Sequence, residues 1–147
     1  MPPPPFEILE HTADVGLKAH GSMLPELFIN AARGLVVLAT GAAEPQRDRP
    51  TERLPIKVSG ADLEDLLVNW LSEILYFMDA EGWEFTGFAV DHIESNPEGD
   101  TQLTGTASGS RALEERSGAV HVKAVTYHQI SVSQTTTGWE AVVYFDI

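Results

Sequence analysis

The stretch 62-DLEDLLVNWLSEILYFMDAEG-82 decides how the rest of the chain folds. Its apolar residues recur at the spacing i, i+3, i+4 and i+7, which is typical of one buried face of an α-helix. They are Leu63, Leu66, Leu67, Trp70, Leu71, Ile74, Leu75 and Met78. Asp62 carries a side chain that caps helix N-termini, and Gly82 supplies a C-terminal stop. The stretch therefore predicts a helix whose apolar stripe packs against other elements.

A second helix and a series of strands are predicted on either side of this helix. Apolar spacing predicts a helix from Pro25 to about Leu38, with Ser22 as its candidate N-cap. Short apolar runs predict strands at 6–9, 15–20 and 54–58. After Gly82 a period of two predicts strands at 85–94, 101–108, 120–128, 130–135 and 139–145. This order predicts an α+β fold in a single domain, with two helices packed on one face of a largely antiparallel sheet.

Three polar segments connect these elements. The stretch 41-GAAEPQRDRPTER-53 mixes glycine, proline and charged residues and predicts an exposed loop. The stretch 95-SNPEGD-100 predicts a hairpin turn. The stretch 109-GSRALEERSG-118 is compatible with a short helical turn or with a loop.

Composition bounds the number of domains and the kind of partner. A chain of 147 residues that is 43% hydrophobic can bury one sizeable core, so one domain is expected. The formal net charge of −13 repels nucleic-acid phosphates and attracts basic surfaces, so no direct tight nucleic-acid binding is expected. The chain has no cysteine, which excludes disulfides, thiolate metal sites and a cysteine nucleophile.

The start of the chain, MPPPPF, predicts a stiff proline-rich arm over residues 1–5. We interpret this arm as a solvated end, with an SH3-type ligand as the alternative. The start has neither the positive flank nor the apolar core of a signal peptide, and no apolar run approaches the ~20 residues that span a bilayer. A soluble, cytoplasmic protein without membrane contact is the expectation.

Carboxylates near the two ends of the chain form the first candidate site. Asp14 lies in 10-EHTADVG-16, between two predicted strands, and Asp146 lies in the final 145-FDI-147. If the last strand runs beside the first, Asp146 and the terminal carboxylate of Ile147 come close to Asp14. Three hard oxygen ligands suit a divalent cation such as Ca²⁺, Mg²⁺ or Mn²⁺ better than Zn²⁺. Alternatively, these acids only accept hydrogen bonds in a turn and at a strand end.

Lys123 is the second candidate, because it interrupts an aliphatic stretch in 121-HVKAVTYHQ-129. A lone lysine in a strand usually extends to water or protects a sheet edge. His121 and His128 lie nearby, which makes a metal or acid–base role conceivable, but their spacing is not that of a recognised histidine ligand motif. The sequence contains no G-x-S-x-G, P-loop or dinucleotide-binding glycine motif, so hydrolase, NTPase and dehydrogenase functions have no support.

Five blocks of the sequence together resemble the archease family. They are 6-FEILEHTADVGLKAHG-21, 26-ELFINAARGL-35, 62-DLEDLLVNWLSEILYFMDAEG-82, 122-VKAVTYH-128 and 142-VVYFDI-147. They occur in the order and at the spacing of that family over nearly the whole chain, outside the proline-rich start. One departure is Met23, where the family tends to have a threonine that forms a capping box with Glu26.

The resemblance implies a function and a set of site residues. It implies a protein cofactor, not itself an enzyme, that activates an RtcB-type RNA-splicing ligase by promoting ligase guanylylation and multiple turnover in tRNA splicing or RNA repair. The metal-binding positions of the family fall on Asp14, Asp146 and Ile147, with Ca²⁺ expected first and Mg²⁺ or Mn²⁺ as alternatives. Lys123 and His11 are the candidate partner-interaction residues. The alternatives are a chaperone-like binding module and a metal-dependent hydrolase that uses the same carboxylates.

Overall fold

The computed structural model describes residues 2–10, 14–41, 50–111 and 121–147, with only the backbone described at Glu10. The elements follow the order β1 (Phe6–Glu10), β2 (Asp14–Gly21), α1 (Leu24–Thr40), β3 (Glu52–Gly60), α2 (Leu63–Glu81), β4 (Trp83–Ser95), β5 (Thr101–Arg111), β6 (Ala124–Thr135) and β7 (Gly138–Asp146). Most of the loop predicted at 41–53 and of the stretch 109–118 lies outside the described residues.

The strands form two antiparallel sheets. Sheet A has the order β1-β2-β7-β6, and sheet B has the order β3-β5-β4. Each helix contacts both sheets: α1 packs on β1, β2, β7 and β4, and α2 packs on β3, β4, β5 and β6. The predicted α+β class with two helices and antiparallel pairing is confirmed. The division into two sheets was not predicted, because a period of two shows which face of a strand is buried but not which strand lies beside it.

One hydrophobic core joins the two sheets and the two helices. Its fully buried side chains include Leu17 from sheet A, Leu103 from sheet B, Phe28 from α1 and Trp70 from α2. The indole Nε1–H of Trp70 donates a hydrogen bond to the carbonyl oxygen of Phe28 at 3.0 Å. This bond satisfies the buried polar atom of Trp70 and fixes α2 against α1. Among the described residues, no helix has the length and apolar character needed to cross a bilayer.

Helix α2 begins and ends where the sequence predicts. Asp62 is the N-cap, and its Oδ1 accepts a hydrogen bond from the backbone N–H of Asp65 at 2.8 Å. Gly82 ends the helix with a left-handed φ of 70°, and its N–H donates to the carbonyl of Phe77. Glycine is favoured there because a Cβ would make this backbone conformation costly. The predicted hairpin turn at 95–100 is also present, since the N–H of Asn96 donates to the carbonyl of Asp100 at 2.8 Å.

Helix α1 lacks the cap that the sequence predicts. The N-cap residue is Met23, which makes no side-chain capping hydrogen bond, so the assignment of Ser22 as N-cap was wrong. Ser22 lies one residue too early, and its hydroxyl donates to Glu26 Oε2 at 2.7 Å instead. The helix is placed by packing and by Asn30, whose Nδ2 donates to the carbonyl of His20 at 2.7 Å.

Strand β6 differs from the two strands predicted at 120–128 and 130–135. It is a single strand, Ala124–Thr135, with a register shift between Thr126 and Ser131. His121, Val122 and Lys123 precede it without regular secondary structure. The residues between Thr126 and Ser131 interrupt the alternation of buried and exposed side chains. The sequence pattern therefore predicted two strands where the structure has one.

Candidate functional site

Strands β2 and β7 bring the two predicted acids face to face. Asp14 is the first residue of β2 and pairs directly with Asp146, the last residue of β7. The next pair inward, Val15 and Phe145, is buried, so strand alternation places both carboxylates on the opposite face of sheet A. Side chains that face each other in this way have Cβ atoms about 4.5–5.5 Å apart. The prediction was conditional on the last strand lying beside the first, whereas its neighbour is β2, and Asp14 belongs to β2 rather than to the turn before it.

The other predicted residues lie at the same end of sheet A or outside the described chain. Ile147 directly follows Asp146, and its side chain packs against the core. The backbone N–H of Lys123 donates to the carbonyl of Asp146 at 2.8 Å, and the Lys123 side chain is exposed. Buried Val122, 2% exposed, anchors the chain just before Lys123. His11 lies outside the described residues.

These acids fit a cation site only if the terminal carboxylate takes part. Within residues 2–10, 14–41, 50–111 and 121–147, no three His, Cys, Asp or Glu side chains are grouped so as to hold a metal ion. Asp14 and Asp146 supply two carboxylates, and the terminal carboxylate of Ile147 is the predicted third donor of the same hard-oxygen type. The divalent cation stays a prediction, and the donor set is chemically suited to it.

Beside the acids lies an aromatic residue that was not predicted from the sequence. Tyr144 pairs with Gly16 and is only 7% exposed, although it lies on the same face as Asp14 and Asp146. A Cβ placed on Gly16 would lie 2.8 Å from Cε1 of Tyr144, so the ring occupies the space that the glycine leaves. The ring also contacts that of His128 edge-on, with 6.0 Å between centroids. An isolated glycine within a predicted strand was the signal, because it often marks such a close approach.

A second feature links α2 to β6 and had no signal in the sequence. The hydroxyl of Tyr127 donates to Asp65 Oδ1 at 2.6 Å, and the N–H of Val132 donates to Glu64 Oε1 at 3.3 Å. The hydrogen bond from Tyr127, and then that from the N–H of Ala61, lower the pKa of Asp65 by stabilising its carboxylate. The same bond to Asp65 raises the pKa of Tyr127, because it stabilises the protonated phenol. The strand that follows Lys123 is therefore attached to the first turn of α2.

The fold and these groups define a small, acidic α+β protein whose two ends meet in one sheet, where two carboxylates face each other. The sequence profile of the Archease protein family (MTH1598/TM1083) matches residues 6–147. The chain belongs to the archease family, as its sequence blocks predict.

Relatives and solved structures agree with this assignment. The chain is 37% identical over 145 residues to "Protein archease" of Methanosarcina acetivorans, covering 97% of this chain and 95% of the relative. It is 39% identical over 145 residues to "Protein archease" of Saccharolobus solfataricus, covering 97% of this chain and 98% of the relative. The solution structure of protein 1598 of Methanobacterium thermoautotrophicum superposes with a TM-score of 0.76 at 31% identity, covering 97% of this chain and 99% of that one. A Thermotoga maritima crystal structure, described as an archease and possible chaperone, has a TM-score of 0.58 at 22% identity, covers 100% of this chain and 98% of that one, and supports the fold alone.

Proposed function

We propose that this protein activates an RtcB-type RNA-splicing ligase, by promoting ligase guanylylation and multiple turnover, and does not itself catalyse ligation. Membership of the archease family supports the proposal. The observation that carries it is the direct pairing of Asp14 with Asp146 at the end of sheet A. Two carboxylates placed opposite each other repel, and a divalent cation bound between them would remove that repulsion, which supports a ligand-binding role for this pair.

In this proposal Asp14, Asp146 and the Ile147 carboxylate hold a divalent cation, with Ca²⁺ first and Mg²⁺ or Mn²⁺ as alternatives. The bound cation would neutralise the facing carboxylates and offer coordination positions to further oxygen ligands. The chain supplies the rest: the β2–β7 ladder fixes the spacing of the acids, and exposed Lys123 belongs to the partner surface beside them. The net charge of −13 favours docking on a basic partner protein and opposes direct binding of RNA.

A guanylylation assay with an RtcB-type ligase tests the proposal. Wild-type protein should accelerate formation of the ligase–guanylate intermediate. Asp14→Asn and Asp146→Asn should each reduce the acceleration about tenfold or more, the scale on which weakened metal sites lose activity. The matched control is Asp91→Asn, an exposed acid on β4 in sheet B, which should act as wild type. No acceleration by wild-type protein, or full acceleration by Asp14→Asn, contradicts the proposal.

The cation is tested separately by thermal denaturation. A ligand that binds only the folded state stabilises it by RT ln(1 + [L]/Kd), so millimolar Ca²⁺, Mg²⁺ or Mn²⁺ should raise Tm. Asp14→Asn should abolish the rise. Adding one glycine after Ile147, which displaces the terminal carboxylate by about 3.8 Å, should reduce it. An unchanged Tm with all three ions in the wild type contradicts the cation site.

A general chaperone function has weaker support. The description of the Thermotoga maritima relative as a possible chaperone belongs to that protein. Large exposed apolar residues in the described part of this chain are Ile8, Met23, Tyr76 and Tyr127. Single exposed apolar residues are normal on protein surfaces and do not define a client-binding patch. An aggregation-suppression assay with an unrelated unfolded protein separates the two functions, since an activator of one ligase should show no effect.

A further inference from the structure

The register shift in β6 produces a bulge of several residues. Thr126 pairs with Tyr144 and Ser131 pairs with Val142, so residues 127–130 all lie opposite the single residue Val143. We call residues 127–130 the β6 bulge. Within it, Gln129 has a φ of 53°, the one positive φ of a non-glycine residue in the described part of the chain. Unfavourable backbone conformations of this kind persist where surrounding contacts enforce them and are concentrated at functional sites.

Hydrogen bonds hold the β6 bulge in one conformation. Thr126 Oγ1 donates to the carbonyl of Tyr144 at 3.0 Å, and the N–H of His128 donates to Thr126 Oγ1 at 3.3 Å. The Tyr127 hydroxyl donates to Asp65 on α2 at 2.6 Å. The Tyr127 side chain is nevertheless 58% exposed, so its hydroxyl is fixed while its ring stays accessible. A rigid exposed tyrosine loses little conformational entropy on binding, which is a property of interface hot spots.

The surroundings of the Tyr127 ring are acidic. Asp62, Glu64 and Asp65 occupy the N-cap and first turn of α2. The charges of Asp65 and Asp62 contribute to the raised pKa of Tyr127, after its hydrogen bond to Asp65 and its desolvation, so these acids act at the phenol. None of the ion pairs formed between described residues includes these three acids. An accessible aromatic ring bordered by carboxylates suits a guanidinium group, which stacks on the ring and hydrogen-bonds to the acids.

Protection of the sheet edge does not account for these features. β6 is an edge strand of sheet A, and a bulge blunts such an edge against pairing with other chains. Edge protection requires neither an exposed aromatic ring nor a hydrogen bond from that ring to a neighbouring helix.

We propose that the β6 bulge, with Tyr127 at its centre and the first turn of α2 as its acidic wall, is a preformed docking site for an arginine on the basic surface of a partner protein. The site lies on the strand that starts beside Lys123 and Asp146, so it is continuous with the candidate functional site. This inference rests on the proposed function only for the identity of the partner. The chemistry of the contact follows from the β6 bulge itself.

An NMR titration with arginine peptides tests the contact without the ligase. The probe is a short capped Arg-Gly repeat peptide, compared with the equivalent Lys-Gly peptide, at about 150 mM NaCl, where the Debye length is about 8 Å and diffuse attraction is weakened. The largest shifts should occur at the Tyr127 ring and at residues 128–129. Tyr127→Ala should weaken binding of the arginine peptide about fivefold, which is the effect expected from the loss of one exposed cation–π contact. Tyr127→Phe keeps the ring and should bind within about twofold of wild type.

Tyr76→Ala is the matched control. Tyr76 is 56% exposed, nearly the same as Tyr127, but lies in the second half of α2. Its removal should leave peptide binding unchanged, and the lysine peptide should bind less tightly than the arginine peptide, because a lysine ammonium lacks the planar stacking surface. Equal binding by wild type and Tyr127→Ala, or shifts spread over the acidic surface without a maximum at the β6 bulge, overturns the proposal.

Ligase stimulation then separates this proposal from the proposed function. If wild-type protein stimulates the ligase, Tyr127→Ala should reduce stimulation and Tyr76→Ala should not; equal stimulation by both variants overturns docking through the β6 bulge. If wild-type protein does not stimulate the ligase, the proposed function fails, and the peptide titration alone decides whether the β6 bulge binds arginine. Thermal melts of each variant establish that a loss of binding is not a loss of folding.

Discussion

Gly16→Ala tests whether the β2–β7 ladder depends on the close approach of Tyr144. The added Cβ would lie 2.8 Å from Cε1 and 3.0 Å from Cζ of Tyr144, and 2.9 Å from Cβ of Leu9. Real Cβ atoms essentially never come this close to other heavy atoms, so at least one neighbour must move. Tyr144 is only 7% exposed, and Cβ of Leu9 is attached directly to the backbone of β1, so neither can move freely.

The expected cost is that of overpacking, about 1–3 kcal/mol. For a domain near 150 residues each kcal/mol lowers Tm by about 2–4 °C, so Gly16→Ala should lower Tm by roughly 3–10 °C. Urea denaturation followed by circular dichroism should show a lower midpoint with an unchanged slope, since the surface exposed on unfolding stays the same.

Gly87→Ala provides the matched control for Gly16→Ala. Gly87 is also a strand glycine, but a Cβ built on it meets no atom within 4 Å. The control should be neutral or stabilising by up to about 1 kcal/mol, because alanine reduces the entropy of the unfolded chain. If Gly16→Ala melts at or above the wild-type temperature, the ring of Tyr144 is not fixed over Gly16, and the account of this face of sheet A is wrong.

Three further predictions concern the surface of the protein. Tyr127→Phe should raise the pKa of Asp65 in a carboxyl NMR titration, since the bond that lowers it is lost. The stability that this bond contributes should be fully present from about pH 5 to pH 9. It should fall below about pH 4, where Asp65 becomes protonated, and above about pH 10, where the phenol of Tyr127, whose pKa is raised, becomes deprotonated. Lys123→Ala should leave stability within about 0.5 kcal/mol of wild type yet cut stimulation of ligase guanylylation about tenfold or more; a monodisperse variant with full activity would remove Lys123 from the functional surface. The isolated protein should not bind RNA at micromolar concentrations in physiological salt, because its net charge is −13. Micromolar affinity in a filter-binding assay would show that a local basic patch exists despite this net charge.

The sequence predicts helix α2 fully because every local signal agrees. The apolar stripe, the Asp62 cap and the Gly82 stop are all properties of neighbouring residues, and all three appear in the structure. The N-cap of α1 was misassigned because Ser22 and Met23 differ by one position, and packing, rather than a cap, fixes where that helix begins.

Features that depend on partners distant in sequence were harder to predict. The juxtaposition of Asp14 and Asp146 was expected only on the condition that the last strand lies beside the first, and the actual neighbour is β2. The bond between Tyr127 and Asp65 had no signal, because it joins residues that are 62 positions apart through the packing of β6 on α2. The β6 bulge left only a break in the period of two, because its size depends on the register of β6 against β7. Tyr144 was taken for an ordinary strand residue, since only the register shows that it faces Gly16.

The position of β7 explains why the backbone at Asp146 is well defined although it lies near the end of the chain. Chain ends usually fray, because few contacts hold them. β7, however, lies between β2 and β6 in sheet A, so Asp146 is placed by its pairing with Asp14 on one side and by the N–H of Lys123 on the other. Fully buried Phe145 anchors the strand one residue earlier. The backbone of Asp146 is therefore held in place, and a side chain on a fixed backbone loses less freedom on binding than one on a frayed end would. The same ladder that completes sheet A thus also determines the spacing of the acids on its outer face.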